Sequence, residues 1–387
     1  MAKENKGPWH AKMVRIVSIW TIAIHLPWAI ALALALVRWL GLLSYGVAMG
    51  AVLLAYALLE PLVFYPLPDK PRPAWRVDAL ERPYFVHVAS VHVSAVGWLF
   101  NILNLQWKID LWLGPFVAYF MALWVFGWGS FVTSRRLRIR HLTLSVYGLP
   151  AAFEGYRIAH ISDIHLGGFT PPSQVANWLE RVRAVPVDLT VITGDVVTSG
   201  VQFHESIASL LGTLRSPDGV FFVPGNHDYF GNGMPLFELL ERHRVRVLRN
   251  EQVLLTRNDA PLLIAGMDDV WTGRGDLAVT LSQRHDRCTI LLAHDPIVFD
   301  DAARLGVSLM LSGHTHGGQL ALPGLARHVN LTKRANRYSL GVYRNGRSTL
   351  VVSGGLGCTG LPIRVGVPPE VGVITLVCAR CTDAPSA

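Results

Sequence analysis

The chain has 387 residues, 51% of them hydrophobic and only 16% charged, with a formal net charge of +8. That length allows two domains, and a mean hydropathy of +0.34 excludes an ordinary soluble enzyme along the whole chain and points to membrane spans. Four cysteines fit a reduced compartment better than a disulfide framework.

The apolar excess lies at the N-terminal end. Stretches 16–37, 40–59, 85–105 and 111–132 each approach the roughly 20 apolar residues that cross a ~30 Å hydrocarbon core, so the sequence predicts four transmembrane helices. The first two read as a hairpin with a tight link at Arg38, and Pro27 is expected to kink the first. Lys3, Lys6, Lys12 and Arg15 resemble the leader of a signal peptide, but the apolar run behind them exceeds the ~7–15 residues of a cleaved signal, so an uncut anchor is expected.

Basic residues set the expected orientation. Lys3, Lys6, Lys12, Arg15, Lys70, Arg72, Arg76, Arg82, Arg135, Arg136, Arg138 and Arg140 flank one side of the spans, and only Arg38 and Lys108 the other, which places both termini in the cytoplasm and the chain in a cell (inner) membrane. His25, Glu60, His87, His92, Asn101 and Asn104 lie within or beside the spans; hydrogen bonding between helices accounts for them more simply than a headgroup or ion pathway. The run Arg135-Arg-Leu-Arg-Ile-Arg140 would meet anionic headgroups. Without interleaved aromatic residues it is not expected to bind nucleic acid. Cys378 and Cys381 have a CxxC spacing, read here as one strand residue and one tail residue.

From about His141 short apolar strands alternate with amphipathic helices, the pattern of an α/β domain. Strand 156–162 ends in Asp163-Ile-His165, and strand 189–192 in Thr-Gly-Asp195. Strand 220–223 is followed by Gly-Asn226-His227-Asp228, strand 262–265 by Gly266-Met-Asp-Asp269, strand 289–292 by Ala-His294-Asp295, and the strand from Leu309 by Gly-His314-Thr-His316-Gly-Gly-Gln319. Helices are expected at 172–184, 203–214 and 235–243; His160 is expected to face a core, and His204, His243, His285 and His328 to lie on surfaces. Each motif alone is compatible with an ordinary turn. Together, strand ends deliver Asp163, His165, Asp195, Asn226, His294, His314 and His316, a mixed nitrogen and oxygen set suited to a pair of divalent ions such as manganese, iron or zinc.

The ordered set Asp-x-His, Gly-Asp, Gly-Asn-His-Asp, His, Gly-His-Thr-His resembles the calcineurin-like metallophosphoesterase superfamily. The Gly-Gly-Gln ending, Gly266-Met-Asp-Asp269 and Gly357-Cys-Thr-Gly-Leu-Pro-Ile-Arg364 are similar to its membrane-associated bacterial branch, the YkuE/YaeI-like phosphohydrolases. The resemblance covers residues 153–377 and implies an α/β fold, a four-layer α/β/β/α sandwich, here preceded by the four transmembrane helices. It implies that Asp163, His165, Asp195 and His316 hold one metal and Asp195, Asn226, His294 and His314 the other. His227 would protonate the leaving oxygen, with Asp228 orienting its ring, as a metal-bridging hydroxide attacks phosphorus. Asp295, where relatives often have asparagine, and Cys358 depart from the pattern at its periphery.

Arg274, Arg334, Arg337 and Arg364 are candidate binders of substrate phosphate, Arg274 and Arg364 foremost. The expected organisation is a membrane region over 1–133, a basic linker and leading strand over 134–152, the phosphoesterase domain over 153–377 and a tail over 378–387. A membrane lipid, as a lipid-linked phosphodiester or pyrophosphate, is the leading substrate class. The alternatives are a tethered phosphodiesterase for soluble (cyclic) nucleotides and a membrane receptor or scaffold with a phosphoesterase readout domain. The sequence leaves the oligomeric state open.

Overall fold

The computed structural model describes His25, Trp28 and residues 73–103, 114–230 and 232–379, in two compact units that divide at Ser130 and Phe131. In the first unit, a helical turn at Ala74–Arg76 and a π-helical turn at Val77–Glu81 lead into α1 (Arg82–Leu103), and α2 spans Gly114–Phe131. Phe116–Arg135 is, among the described residues, the one helical stretch long and apolar enough by length and composition to cross a membrane. The third expected span coincides with α1, where Ser90, His92 and Ser94 dilute the apolar run. The first two lie outside the described residues except at His25 and Trp28.

Polar groups in this unit pair with one another, as apolar surroundings require. His87 Nδ1 lies 2.6 Å from the Tyr119 hydroxyl, linking α1 to α2. The ring of His25 stacks on His87 with centroids 5.6 Å apart. Arg82 is buried and donates from Nη1 to the Ser130 carbonyl at 2.7 Å, with Nε 3.3 Å from Asp78 Oδ1.

The second unit contains β1 (Arg138–Val146), β2 (Arg157–Ile161), α3 (Pro172–Arg183), β3 (Leu189–Thr193), α4 (His204–Leu211), β4 (Val220–Val223), α5 (Met234–Arg242) and β5 (Arg246–Val247). These are followed by β6 (Glu251–Arg257), β7 (Ala260–Gly266), β8 (Thr289–Leu292), β9 (Leu309–Ser312), β10 (Gly341–Asn345), β11 (Ser348–Val352) and β12 (Glu370–Cys378). Two six-stranded sheets result, ordered β1-β12-β2-β3-β4-β5 and β10-β11-β9-β8-β7-β6.

The central strands are parallel and buried on both faces, which is why they read as unbroken apolar runs. Leu189, Val191, Ile290, Leu292, Leu309 and Leu311 fill the space between the sheets. Ile161 and Ile192 point the other way, onto Trp178, Leu179, Ile207 and Leu240 of α3, α4 and α5. The outer face of the second sheet, with Leu291 and Met310, is covered by Phe299 and Ala302 of the short helix Phe299–Arg304 and by Tyr338. Four layers are therefore present, the last made of short helices and loops.

β1, within the 134–152 linker and leading strand, pairs with β12 in parallel from Arg138↔Glu370 to Val146↔Cys378 as the edge strand of the first sheet. One expectation changes. His204, expected on a surface, is 2% exposed, because the first turn of α4 packs against the core that holds Ile207 and Ala208.

Candidate metal centre

β2, β3 and β4 run in parallel, as do β8 and β9, and the loops at their C-terminal ends converge. Asp163 accepts the backbone N–H of His314 at 3.0 Å through Oδ1, joining the first sheet to the second. Close backbone approach shapes these loops. A Cβ on Gly194 would lie 2.5 Å from the Gly225 nitrogen, so only glycine lets the β3 and β4 loops touch there. Asp163, His165, Asp195, His314 and His316 all have positive φ, between 46° and 69°. Non-glycine residues rarely adopt that conformation, and its clustering at one place marks a functional site.

The side chains form two groups that share Asp195. His165 Nε2 lies 3.0 Å from His316 Nε2, and His316 Nε2 lies 3.4 Å from Asp163 Oδ1. On the other side His294 Nε2 lies 3.2 Å from His314 Nδ1. Asp195 Oδ2 stands between them, 3.6 Å from His165 Nε2 and 3.2 Å from His294 Nε2. His294 Nδ1 donates to the Thr193 carbonyl at 2.7 Å, which fixes the ring and aims Nε2 at Asp195.

Protonation follows from burial and neighbours. Burial pushes the His165 imidazole down to about 3 against the pull of Asp195, and burial with His165 and Arg364 holds His316 well below the ordinary value. Both rings are neutral donors. Burial would raise Asp195, but His294 and His165 outweigh it and hold this carboxyl below the usual range. Burial raises Asp163 to about 6, with His294 opposing and Asp195 adding to the rise.

This donor set fits divalent ions. Neutral imidazole nitrogens face each other with carboxylate oxygens between them, and the Asn226 Oδ1 atom is buried without a hydrogen-bond partner. A buried orphan acceptor beside such a cluster is what a cation satisfies. Asp163, His165 and His316 form one candidate ligand group and Asp195, His294 and His314 another.

The Calcineurin-like phosphoesterase family profile matches residues 156–318. The metallophosphoesterase YkuE of Bacillus subtilis is 32% identical over 256 residues, 65% of this chain and 89% of that protein. The chain belongs to the calcineurin-like phosphoesterase family. An uncharacterized metallophosphoesterase of Aquifex aeolicus is 34% identical over 254 residues, covering 62% of this chain and 92% of that protein. A Bos taurus transmembrane protein with a metallophosphoesterase domain is 34% identical over 252 residues; the match covers 60% of this chain and only 56% of that protein. The chain is accordingly a metal-dependent phosphohydrolase, and its family typically uses a dinuclear site.

Three expected roles change on geometry. Asp228 does not hold the His227 ring: its buried carboxylate accepts the backbone N–H groups of Asp195, Val196 and Gly225 at 2.8, 2.8 and 2.9 Å. The ring is held instead by the Thr198 carbonyl, 2.7 Å from His227 Nδ1. Arg364 is not available to a substrate. It is fully buried and donates to the carbonyls of Gly357 and Val367 at 2.9 and 3.0 Å, with Nη2 3.4 Å from His316 Nδ1. Arg337 is taken up by Asp300 at 2.7 Å. Arg274 remains exposed, its guanidinium 4.3 Å from the centroid of Tyr229, next in sequence to Asp228.

Sequence reasoning missed several supports. Asp268 accepts the Tyr229 hydroxyl at 2.5 Å and Arg249 Nε at 2.9 Å, so the Gly-Met-Asp-Asp segment braces the loop bearing His227. Gln319 donates to the Thr359 carbonyl at 2.9 Å and accepts the Thr359 N–H at 2.8 Å, clamping the Gly-rich loop. Asp295 caps Ile297 N at 2.9 Å and places Oδ2 3.7 Å from His314 Nε2. Phe230 flanks His227 at 4.6 Å and meets Trp271 at 6.4 Å between centroids. Asp268, Gln319 and Asp295 all lie in motifs visible in the sequence, but their bracing contacts depend on partners distant in the chain.

Proposed function

We propose that the chain is a dinuclear-metal phosphoester hydrolase of the cytoplasmic membrane face, acting on a lipid-linked phosphodiester or pyrophosphate. The observation that carries this reading is chain continuity: the apolar stretch Phe116–Arg135 runs directly into the basic segment Arg135, Arg136, Arg138 and Arg140 and then into β1 of the catalytic sheet. A hydrolase held at a bilayer meets headgroups at a raised effective concentration. The reading includes four spans over 1–133, both termini in the cytoplasm, and the catalytic unit closing with β12.

Asp163, His165, Asp195 and His316 would hold one ion and Asp195, Asn226, His294 and His314 the other, with manganese, iron or zinc suited to the mixed set. Such a pair supplies an activated water and neutralises charge on the phosphoryl oxygens. The chain's residues do the rest. Asp195 fixes the separation of the two halves, and its Oδ1 accepts the His227 N–H at 2.9 Å, which ties the acid to the ligand set. With Nδ1–H given to Thr198, His227 presents Nε2 for the departing oxygen. Arg274 is placed to meet a second phosphate or headgroup anion.

The test is headgroup release from a bacterial membrane lipid extract by manganese-loaded full-length protein, with Asp195→Asn as the blank. Release of a phosphorylated headgroup identifies the substrate by mass. Good turnover of a soluble diester with no release from lipid would move the assignment to a tethered nucleotide-type phosphodiesterase.

A further inference from the structure

Strand polarity fixes which end of the catalytic unit receives the membrane tether. β1 is parallel to β12, and β12 is antiparallel to β2, so Arg138 at the start of β1 lies at the end where β2, β3 and β4 finish. That is the end that carries the ligands. Glu370, the partner of Arg138, accepts the Gly354 N–H at 3.0 Å in the loop packed on Asp163. Ser134 and Arg135 are fastened near it, their carbonyls accepting Gln174 and the Trp178 indole at 3.2 Å each.

The same end carries an apolar rim. By topology the loops after β7, β8 and β9 all open there, and they expose Trp271 (63%), Ile297 (71%), Leu322, Leu325, Val329 and Leu331, the last four 50–68% exposed. Four of these lie in the irregular segment between Gln319 and Gly341, which follows the ligand His316 directly. Loops this long without regular structure are uncommon and usually functional. Its base is fixed: Ala321 N donates to Val365 O at 2.8 Å and Leu322 N to Val329 O at 3.0 Å. Exposed Arg327, His328 and Arg334 alternate with the leucines.

We infer that segment 320–337, with Trp271 and Ile297, is a docking surface for an anionic phospholipid bilayer, seating the metal centre on the headgroup layer. The apolar side chains suit shallow insertion and the interleaved cations suit anionic headgroups, the composition of an interfacial binding element. The tethered end and the apolar rim coincide, so chain continuity and surface chemistry agree on the occupant. The opposite end is different: a cleft of about 540 Å³ there is lined by Arg284, Arg287, Arg304 and Arg347. This inference rests on the membrane-tethered reading above but not on the identity of the substrate.

The test uses full-length protein with Cys378→Ser and Cys381→Ser in nanodiscs of phosphatidylcholine with and without phosphatidylglycerol. An environment-sensitive fluorophore is placed at Leu325→Cys or, at the far end, at Arg347→Cys, with nitroxide-bearing lipid as quencher. Docking predicts blue-shifted, lipid-quenched emission at position 325 that strengthens with phosphatidylglycerol, and water-like emission at 347. Arg327→Glu and Arg334→Glu should each weaken the lipid-dependent quenching about fivefold or more, the effect of one basic residue at an anionic surface. Water-like emission at both positions, or quenching at 347 alone, would overturn the inference. Quenching at 325 in a protein that releases no headgroup would leave docking standing and remove the lipid substrate.

Discussion

His227 Nδ1 lies 2.7 Å from the carbonyl oxygen of Thr198, and this single bond fixes the tautomer of the proposed acid. With the proton on Nδ1 committed to the backbone, Nε2 is the nitrogen that exchanges protons with a leaving group. His227→Gln should therefore lower turnover by about 10²–10⁴ for an alkyl phosphodiester. The loss should shrink for a p-nitrophenyl diester, whose leaving group needs little protonation. Steady-state kinetics on the two substrates measure the difference; equal losses would point to a role in binding.

Asp228 acts as a structural acceptor. Its carboxylate oxygens accept three backbone N–H groups at 2.8–2.9 Å while fully buried. Asp228→Asn turns an amide N–H₂ against one of those donors, and an unsatisfied buried group costs about 1–3 kcal/mol. A lowered thermal midpoint in the metal-loaded protein is expected, and an unchanged midpoint would contradict this structural role.

The two arginines singled out in the sequence should separate cleanly. Arg364→Ala removes a buried guanidinium bonded to Gly357 and Val367, so it should destabilise the fold and loosen His316. Arg274→Ala leaves the fold intact and should raise KM for a charged headgroup more than for a simple diester. Thermal melts alongside KM values for both variants check this.

These two residues also show how far sequence reading reaches. The candidate cluster was legible because its members follow apolar runs at strand ends, a pattern set by local spacing alone. Arg364 was not, because its burial depends on the 357–367 loop folding back onto the site. β6 escaped for a different reason: it is an edge strand of partly exposed, mixed sequence, and its antiparallel hairpin with β7 is what defines it. In the catalytic unit composition could not tell the buried His204 from the exposed His285.

Acid should expose a local tie at the base of the docking segment. Asp300 accepts the Tyr338 hydroxyl at 2.7 Å and Asn345 at 2.8 Å, and pairs with Arg337. The Tyr338 bond, ahead of the opposing effect of burial and the further help of Asn345 and Arg337, holds this carboxyl below the usual range. A folded-state pKa below the unfolded value of about 3.9 gives stability that is present above that pH and lost as pH falls through the folded value. The difference in thermal midpoint between wild type and Asp300→Asn should thus be constant near neutrality and narrow in acid. A gap independent of pH would contradict this.

The central claim is that Asp195 joins two ligand groups into one metal centre. The most direct measurement is metal content per folded chain, by mass spectrometry after exhaustive dialysis, for full-length wild type and Asp195→Asn, with turnover of a soluble diester in parallel. The account predicts that wild type retains a pair of ions, and that Asp195→Asn retains fewer and loses turnover while still folding. Equal metal content and near-normal turnover in the variant would contradict it.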